Sequence, residues 1–431
     1  MWPRWPQPIK SLWKCQESSQ IASIVALIAS GAVNENFTKD KNVALPRVRL
    51  NWLIWATFLL STVIVIGSAM VGGASSCKHQ VGGWESLCRG DGVHYVAIAA
   101  TGYSYHHGSP CNVAFFPAYP LSVRALASIG FVEDRAAVIV ALAFFTFAAC
   151  LFEYYASLRS NSPPWRSTIL FLIFPMTFFF RMAYSESMFL TSVLVFLIAV
   201  RWQANPLIVS AIAGVASGIR PVGIALAAPA IIYAWSCRAD RSTLRFVSQL
   251  VSVALLSVWG LLLYAWFLGA SFGEPLSFAT TQRHFRMRPE VGTWSVLSAY
   301  LNWEPIWSVF RADSPAYWRS QHDAASLVRA LNPISWLVFV ALVVWGGIKG
   351  HLSKYEFILS LGLLMIPYLT RGYDMCMVSQ GRFAAACVPA YYVFADLMER
   401  ASPTAFLVVA ITFLGLLSAF SYWFGAGLPV L

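Results

Sequence analysis

Charged side chains are scarce in this sequence of 431 residues. Only 11% of the residues are Asp, Glu, Lys or Arg, while 58% are hydrophobic. Soluble domains carry about 25% charged residues, so this chain has too little polar surface to cover itself in water. Its apolar residues also form runs long enough to cross a hydrocarbon core of roughly 30 Å. We therefore predict an all-α, polytopic transmembrane helical bundle.

The motifs of nucleotide-dependent and metal-dependent proteins are missing as well. The sequence has no Walker A motif, no dinucleotide-binding glycine pattern, no HExxH and no CxxC spacing. The missing nucleotide site argues against an ATP-driven pump. There is also no Asp-x-Asp pair, which is frequent in enzymes that use metal-bound nucleotide sugars. We therefore expect no cofactor and no metal requirement, and a lipid-phosphate donor becomes the more attractive sugar donor.

Basic residues exceed acidic ones, and the formal net charge is +11. In a soluble protein this excess would suggest nucleic acid. In a membrane protein, Lys and Arg collect in short cytoplasmic loops, so we expect membrane lipids and no nucleic acid as partners.

We predict about eleven spans. Their predicted bounds are 52–73, 136–157, 167–182, 186–201, 206–219, 221–236, 246–268, 333–348, 355–370, 383–397 and 404–424.

The predicted topology depends on segment 114–131, which is apolar but contains Pro117, Pro120 and Arg124. If this segment does not cross the membrane, four basic loops share one side, and the positive-inside rule places them in the cytoplasm. These loops are 159–166, 201, 238–245 and 349–354. Residues 1–50 then form a cytoplasmic tail. Residues 51–431 form one transmembrane domain with outer loops at 74–135 and 269–332.

The first outer loop contains Asp91 and His94, three residues apart and so on one face of a helix. An aspartate among aromatic residues at a membrane surface is partly desolvated, which raises the pKa of its carboxylate and strengthens it as a proton acceptor. The alternative is that Asp91 caps the short helix that follows it. Residue type alone leaves both interpretations open.

Further candidate residues lie at the outer ends of other spans. Glu186 either lies at the positive end of the following helix, beside a capping Ser185 or Ser187, or it orients an acceptor hydroxyl or pairs with a basic residue. Arginines at such positions bind phosphate or extend to lipid headgroups, and their number on the side of Asp91 favours a phosphate-bearing ligand. The candidates at span ends are Arg220, Arg371 and Arg382, and the second outer loop adds Arg283, Arg286 and Arg288.

Four sequence motifs, taken in order, resemble the GPI mannosyltransferase II family. They are Asp-Gly-Val-His-Tyr-(x)-Ala-Ile-Ala-(x)-(x)-Gly-Tyr with a later Ala-Phe-Phe-Pro-(x)-Tyr-Pro-Leu, then Tyr-Ser-Glu-Ser, Gly-Ile-Arg-Pro-(x)-Gly, and Gly-Arg-Phe-Ala-Ala-Ala-Cys-Val-Pro-Ala-Tyr. The resemblance covers the chain from the first span to about residue 400. Bacterial relatives of this family are membrane glycosyltransferases of the GT-C type, with juxtamembrane helices in the first outer loop.

The resemblance implies transfer of mannose from a polyprenyl-phosphate donor to an acceptor hydroxyl on the outer face, with inversion. The family's loop aspartate, thought to be the catalytic base, matches Asp91. Arg220 and Arg382 are then the first candidates for neutralising the leaving phosphate, followed by Arg283 or Arg286. Glu186 and His94 would orient the acceptor or Asp91. The acceptor would be a lipid, a glycan or a protein.

Two departures from the family pattern lie in the same loop. Gly90 replaces the usual Trp, and His106 and His107 stand where an acidic residue is frequent. Both departures concern the identity of the sugar and the acceptor more than the reaction class.

We expect the protein to lie in the cell membrane of a bacterium rather than in the endoplasmic reticulum. The competing prediction is a polytopic secondary transporter or lipid flippase, which would need a cavity near the midplane of the membrane.

Overall fold

The computed structural model describes residues 52–76, 81–159, 164–238, 243–320 and 322–430. The predicted tail, 1–50, lies outside the described residues. Throughout the described part of the chain the regular structure is helical, with no strand, so the predicted all-α class is confirmed. The α-helices are α1 Trp52–Ser75, α2 Asp91–Thr101, α3 Ala118–Ala127, α4 Glu133–Arg159, α5 Trp165–Ile173, α6 Glu186–Arg201, α7 Pro206–Ile219, α8 Ala227–Ser236, α9 Thr243–Leu256, α10 Trp259–Phe272, α11 Ser277–Gln282, α12 Thr293–Leu301, α13 Glu304–Trp307, α14 Ser326–Ile348, α15 Lys354–Pro367, α16 Gln380–Ala385, α17 Val388–Glu399 and α18 Pro403–Gly425.

Shorter helical turns join several of these helices. The 3-10 segments are Gly83–Leu87, Asn112–Ala114, Pro175–Arg181, Pro221–Leu226, Arg283–Phe285 and Ser308–Phe310, and a π-helical turn covers Tyr368–Gly372. Several begin with proline, which removes a backbone donor and breaks the α-helical hydrogen-bond ladder. The 3-10 segment that starts at Pro175 and the one that starts at Pro221 both do so.

Four helices among the described residues, α1, α4, α14 and α18, are each long and apolar enough to cross a membrane. The number rises to six if two bent pairs count as single spans: Pro175–Arg181 with α6, bent by 101°, and α9 with α10, bent by 59°. The predicted count of about eleven spans is therefore not confirmed. The hydropathy pattern marked apolar runs correctly, but it could not show which of them are broken.

The break after α5 is stabilised by a fully buried arginine. Arg181 donates hydrogen bonds to the backbone oxygens of Leu172 and Thr177, at 3.0 and 3.3 Å, and to the hydroxyls of Ser61 and Thr62. Backbone groups left unpaired in an apolar interior cost free energy, so these bonds compensate for the interrupted helix. The break lets the chain turn back before α6, whose first residue is Glu186.

The predicted basic loops meet at one end of the bundle. Arg159 donates to the backbone oxygen of His351 at 2.6 Å, and Arg201 donates to that of Leu158 at 3.1 Å. Lys354 donates to the Ser236 hydroxyl at 2.8 Å. These contacts bring Arg159, Arg201 and loop 349–354 together beside the end of α8, as the sequence predicted for these loops; residues 239–242 of loop 238–245 lie outside the described residues. The positive-inside rule assigns this end to the cytoplasm.

Segment 114–131 does not cross the bundle. Its helix, α3, has 10 residues, so it is about 15 Å long, half the thickness of the hydrocarbon core. This length agrees with the prediction that the segment does not span, and the helices between 81 and 131 are all short, as predicted for the first outer loop. At the centre of the bundle lies α6, where the residues from Glu186 to Leu194 are all buried.

Candidate active site

Asp91 is the first residue of α2. Gly90 precedes it with φ +59° and ψ −127°, a backbone conformation that glycine adopts readily and residues with a Cβ do not. No side chain caps this helix, so the interpretation of Asp91 as a capping residue is wrong. The backbone N–H of Asp91 instead donates to the Tyr184 hydroxyl at 3.0 Å, and that hydroxyl donates to the Arg89 backbone oxygen at 3.1 Å.

The carboxylate of Asp91 belongs to a chain of alternating charges. Arg382 Nη1 donates to Asp91 Oδ2 at 2.8 Å, and Arg382 Nε lies 3.1 Å from Glu186 Oε1. The same Glu186 oxygen lies 2.5 Å from Arg220 Nη1. The structure therefore joins four sequence-predicted residues, one from each of the four motifs that follow one another along the chain. The predicted pairing of Glu186 with a basic residue is confirmed.

Glu186 and Asp91 differ in their access to a substrate. The Glu186 side chain is 2% exposed, whereas 27% of the Asp91 side chain is exposed. Glu186 follows Ser185, whose hydroxyl shares a hydrogen bond with Tyr95 and does not cap α6. Glu186 thus supports the two arginines from behind, and Asp91 is the carboxylate that can touch a bound molecule.

Arg382 is held in place from several directions. It lies in α16, where the Gly381 N–H donates to Asn332 Oδ1 at 2.9 Å. Its guanidinium lies 5.2 Å from the ring of Phe179 and 5.4 Å from that of Tyr184. A planar guanidinium between rings and two carboxylates has little freedom to rotate, so its nitrogens present fixed directions to the site.

A cavity of about 470 Å³ opens beside this chain of charges. Five arginines and two aspartates line it, so positive charge exceeds negative. Its charged lining residues are Asp91, Arg220, Arg283, Arg286, Arg371, Asp374 and Arg382. The remaining wall is mostly apolar and includes Phe115, Phe116, Leu261, Phe278 and Ile366. Such a site suits an anion attached to an apolar group.

Two of the cavity arginines form no ion pair with any described residue. Neither Arg283 nor Arg371 makes a side-chain hydrogen bond or ion pair within the described ranges. Arg286, by contrast, lies 3.3 Å from Asp374 Oδ2 and 3.1 Å from Glu290 Oε1. Arg283 is exposed, but Arg371 is half-buried. A half-buried guanidinium without an ion-pair partner is costly, so an anionic ligand would stabilise the part of the cavity around Arg371.

The pKa of Asp91 shifts in the direction opposite to the sequence prediction. Burial raises the pKa of this carboxyl, as predicted, but the charge and hydrogen bond of Arg382 outweigh burial and hold it below its ordinary value of 3.8. Arg371 and Arg220 act in the same direction. Asp91 is therefore ionised at neutral pH. It can accept a proton, but Arg382 weakens it as a base.

His94 lies outside the cavity wall. Its ring stacks on Phe115 at 4.5 Å, and no hydrogen bond joins it to Asp91 among the described residues. Burial lowers the pKa of His94 below 6.5 despite the nearby Asp91 carboxylate, so the ring is neutral at pH 7. His94 therefore contacts the cavity indirectly, through Phe115, which lines the cavity wall.

Sequence reasoning did not select Tyr184 or Asp374 as site residues. Tyr184 is the first residue of the Tyr-Ser-Glu-Ser motif and positions the start of α2. Asp374 follows the π-helical turn in a segment where Cys376, Met377 and Ser379 all have positive φ. The motif signalled Tyr184. No sequence pattern signalled Asp374.

In the described part of the chain, no group of His, Cys, Asp and Glu is arranged to hold a metal ion.

No protein-family model and no curated protein matches this chain. Two solved structures of the oligosaccharyltransferase from Archaeoglobus fulgidus are similar to it. One, tethered to an acceptor peptide with the NVT sequon, has a TM-score of 0.43 and 10% identity over 88% of this chain. The other, AglB with an inhibitory peptide and a dolichol-phosphate, has a TM-score of 0.43 and 9% identity over 87%. The chain spans 55% of the length of each of these structures.

Proposed function

We propose that this protein is a membrane glycosyltransferase of the GT-C type that moves mannose from a polyprenyl-phosphate donor to an acceptor hydroxyl. The observation that carries the proposal is the position of Asp91 on the wall of an arginine-lined, partly apolar cavity. The four motifs that resemble GPI mannosyltransferases support the choice of sugar and donor. Each of those motifs supplies one of the joined charges of Asp91, Glu186, Arg220 and Arg382.

The proposed reaction is a single inverting displacement. The acceptor oxygen attacks the anomeric carbon, and its proton passes to the Asp91 carboxylate. The bond from the anomeric carbon to the phosphate oxygen breaks, and its electron pair leaves with the polyprenyl phosphate. The products are the mannosylated acceptor and the lipid phosphate, and Asp91 regains its charge when its proton passes to solvent.

The cavity arginines neutralise the charge that develops on the leaving phosphate. Fixed guanidinium groups beside an apolar wall stabilise such charge strongly, because little reorganisation is needed when the bond breaks. Arg382 and Arg371 are the first candidates for this role, because their charges act most strongly on Asp91. Arg220 assists next to Arg382, and Arg283 and Arg286 lie on the wall formed by the second outer loop. Glu186 positions Arg220 and Arg382.

The place of the cavity favours an enzyme over a transporter. Helices α7 and α15 both start at the basic end of the bundle, and the cavity is lined by residues at their far ends, Ile219 and Pro367. A transporter would hold its ligand near the middle of its spans, within reach of both sides. A cavity at the ends of these helices supports a site on the outer face, where a lipid headgroup and an acceptor would meet.

The donor class is tested by incubating purified protein in detergent with a membrane lipid extract and one radiolabelled donor at a time. The donors are polyprenyl-phosphate-mannose, polyprenyl-phosphate-glucose and a nucleotide-linked mannose. We expect label to move into the acceptor fraction from polyprenyl-phosphate-mannose only. Transfer from the nucleotide sugar alone would refute the lipid-phosphate donor, and transfer from the glucosyl lipid alone would refute the sugar.

A further inference from the structure

The guanidinium of Arg382 interacts with two carboxylates, those of Asp91 and Glu186. Its Nη1 donates to Asp91 Oδ2 at 2.8 Å, and its Nε lies 3.1 Å from Glu186 Oε1. A guanidinium binds phosphate most strongly through two parallel N–H groups on one edge. It has two such edges, Nε with one Nη group and the two Nη groups together; Glu186 lies beside Nε and Asp91 binds Nη1. A phosphate that takes the two Nη nitrogens of Arg382 therefore competes with the Asp91 carboxylate for Nη1.

The excess positive charge of the cavity favours binding of a phosphate beside Arg382. Arg371 lines the same cavity without an ion pair or side-chain hydrogen bond within the described ranges, and its charge, like those of Arg382 and Arg220, acts on Asp91. A phosphate bound by Arg371 would come close to the Asp91 carboxylate, and two anions at such a distance repel each other. The repulsion falls when the Asp91 carboxylate moves away from the Nη nitrogens of Arg382 and the phosphate takes its place.

Glu186 allows this exchange without loss of the arginine's position. It is buried and forms ion pairs with both Arg382 and Arg220. The rings of Phe179, Tyr184 and Phe383 surround the guanidinium at 5.2 to 5.4 Å. Arg382 thus stays in place while its hydrogen bond to Asp91 is weakened.

We propose that the donor phosphate and Asp91 compete for Arg382, so that donor binding releases Asp91 to accept the acceptor's proton. This inference rests on the proposed function, because it requires a phosphate-bearing donor in the cavity. Before the donor binds, Arg382 weakens Asp91 as a base. After it binds, Asp91 lies beside the phosphate with less compensating charge and accepts a proton more readily. The donor therefore binds before the acceptor is activated.

The test measures the affinity of purified protein in detergent for polyprenyl phosphate, with unphosphorylated polyprenol as the control for apolar binding. The proteins compared are wild type, Asp91→Asn, Arg382→Gln and the double variant. Asp313→Asn, which removes the same charge from an exposed pair with Arg311 in the second outer loop, is the matched control. Because a charged hydrogen bond contributes about 1.5–3 kcal/mol, we expect Asp91→Asn to bind polyprenyl phosphate roughly tenfold or more tightly.

The double variant decides whether the gain acts through Arg382. We expect Asp91→Asn to change affinity by less than about threefold when Arg382 is already Gln, since independent effects add and coupled effects do not. An equal gain in both backgrounds, a gain equal to that of Asp313→Asn, or no gain would overturn the competition while leaving the donor site intact. Wild type that binds polyprenyl phosphate no better than polyprenol would overturn the proposed donor and the competition together.

Discussion

Replacing Arg382 by Gln should move the acidic limb of the pH–activity profile upward. In the wild type, Arg382 opposes burial and keeps the pKa of Asp91 below 3.8. A carboxylate with a lowered pKa stays ionised down to that pH, so kcat/KM should lose no activity through Asp91 protonation between pH 5 and 7. Without Arg382, burial remains and raises the pKa of Asp91.

The size of the shift follows from the contact that is lost. An arginine beside an aspartate lowers the pKa of the carboxyl by about 1–3 units. Arg371 and Arg220 remain in the variant and keep part of this effect. We expect the limb to rise by at least about one unit, equivalent to about 1.4 kcal/mol of interaction with the ionised form. Arg382→Lys should lie between wild type and Arg382→Gln, because it retains the charge without the planar geometry.

The assay is kcat/KM for sugar transfer measured from pH 4 to 8 in buffers of constant ionic strength. The ratio kcat/KM reports ionisations of the free enzyme, which is the state the structure describes. Arg311→Gln is the control, because Arg311 is exposed and pairs with Asp313 outside the cavity. If Arg382→Gln is less active but has the acidic limb of the wild type, Arg382 does not set the ionisation of Asp91.

Three further substitutions test the supports of the site. Glu186→Gln leaves two arginines without their shared buried anion and should destabilise the protein by about 3–5 kcal/mol, measured as loss of monodisperse protein after heating. Gly90→Ala should cost about 1–3 kcal/mol, because a Cβ is disfavoured at its positive φ; unchanged thermal stability would show that the backbone relaxes. Tyr184→Phe removes the hydroxyl that holds the N–H of Asp91 and should lower kcat by about tenfold to a hundredfold. An unaltered kcat with normal folding would show that Tyr184 does not position Asp91.

The helical class and the end of the bundle that carries the basic loops could be predicted, because both depend on composition and on the order of loops along the chain. The number of continuous spans could not. Pro175 and Pro221 fall inside apolar runs, and hydropathy does not distinguish a continuous helix from a 3-10 segment followed by a bend. Whether such a break is tolerated depends on partners such as Arg181, which reaches back to α1.

The site could be predicted as a set of residues but not as an electrostatic state. Asp91 and Arg382 are 291 positions apart, and motif order alone gives no distance between them. Burial of Asp91 was visible from its aromatic neighbours, whereas the arginine that reverses the effect of burial on its pKa was not. The Gly90 departure is explained by backbone geometry, because a positive φ at this position is more compatible with glycine than with tryptophan.

The central claim is that Asp91 is the base in transfer of a sugar from a lipid phosphate. Transfer from radiolabelled polyprenyl-phosphate-mannose by wild type and Asp91→Asn, matched for folding by gel filtration, tests it most directly. Asn has the shape of Asp and can still accept from Arg382, so the fold should persist while turnover falls by about 10²–10⁴-fold. Asp313→Asn should retain turnover. Full transfer by Asp91→Asn would contradict the assignment and require another proton acceptor.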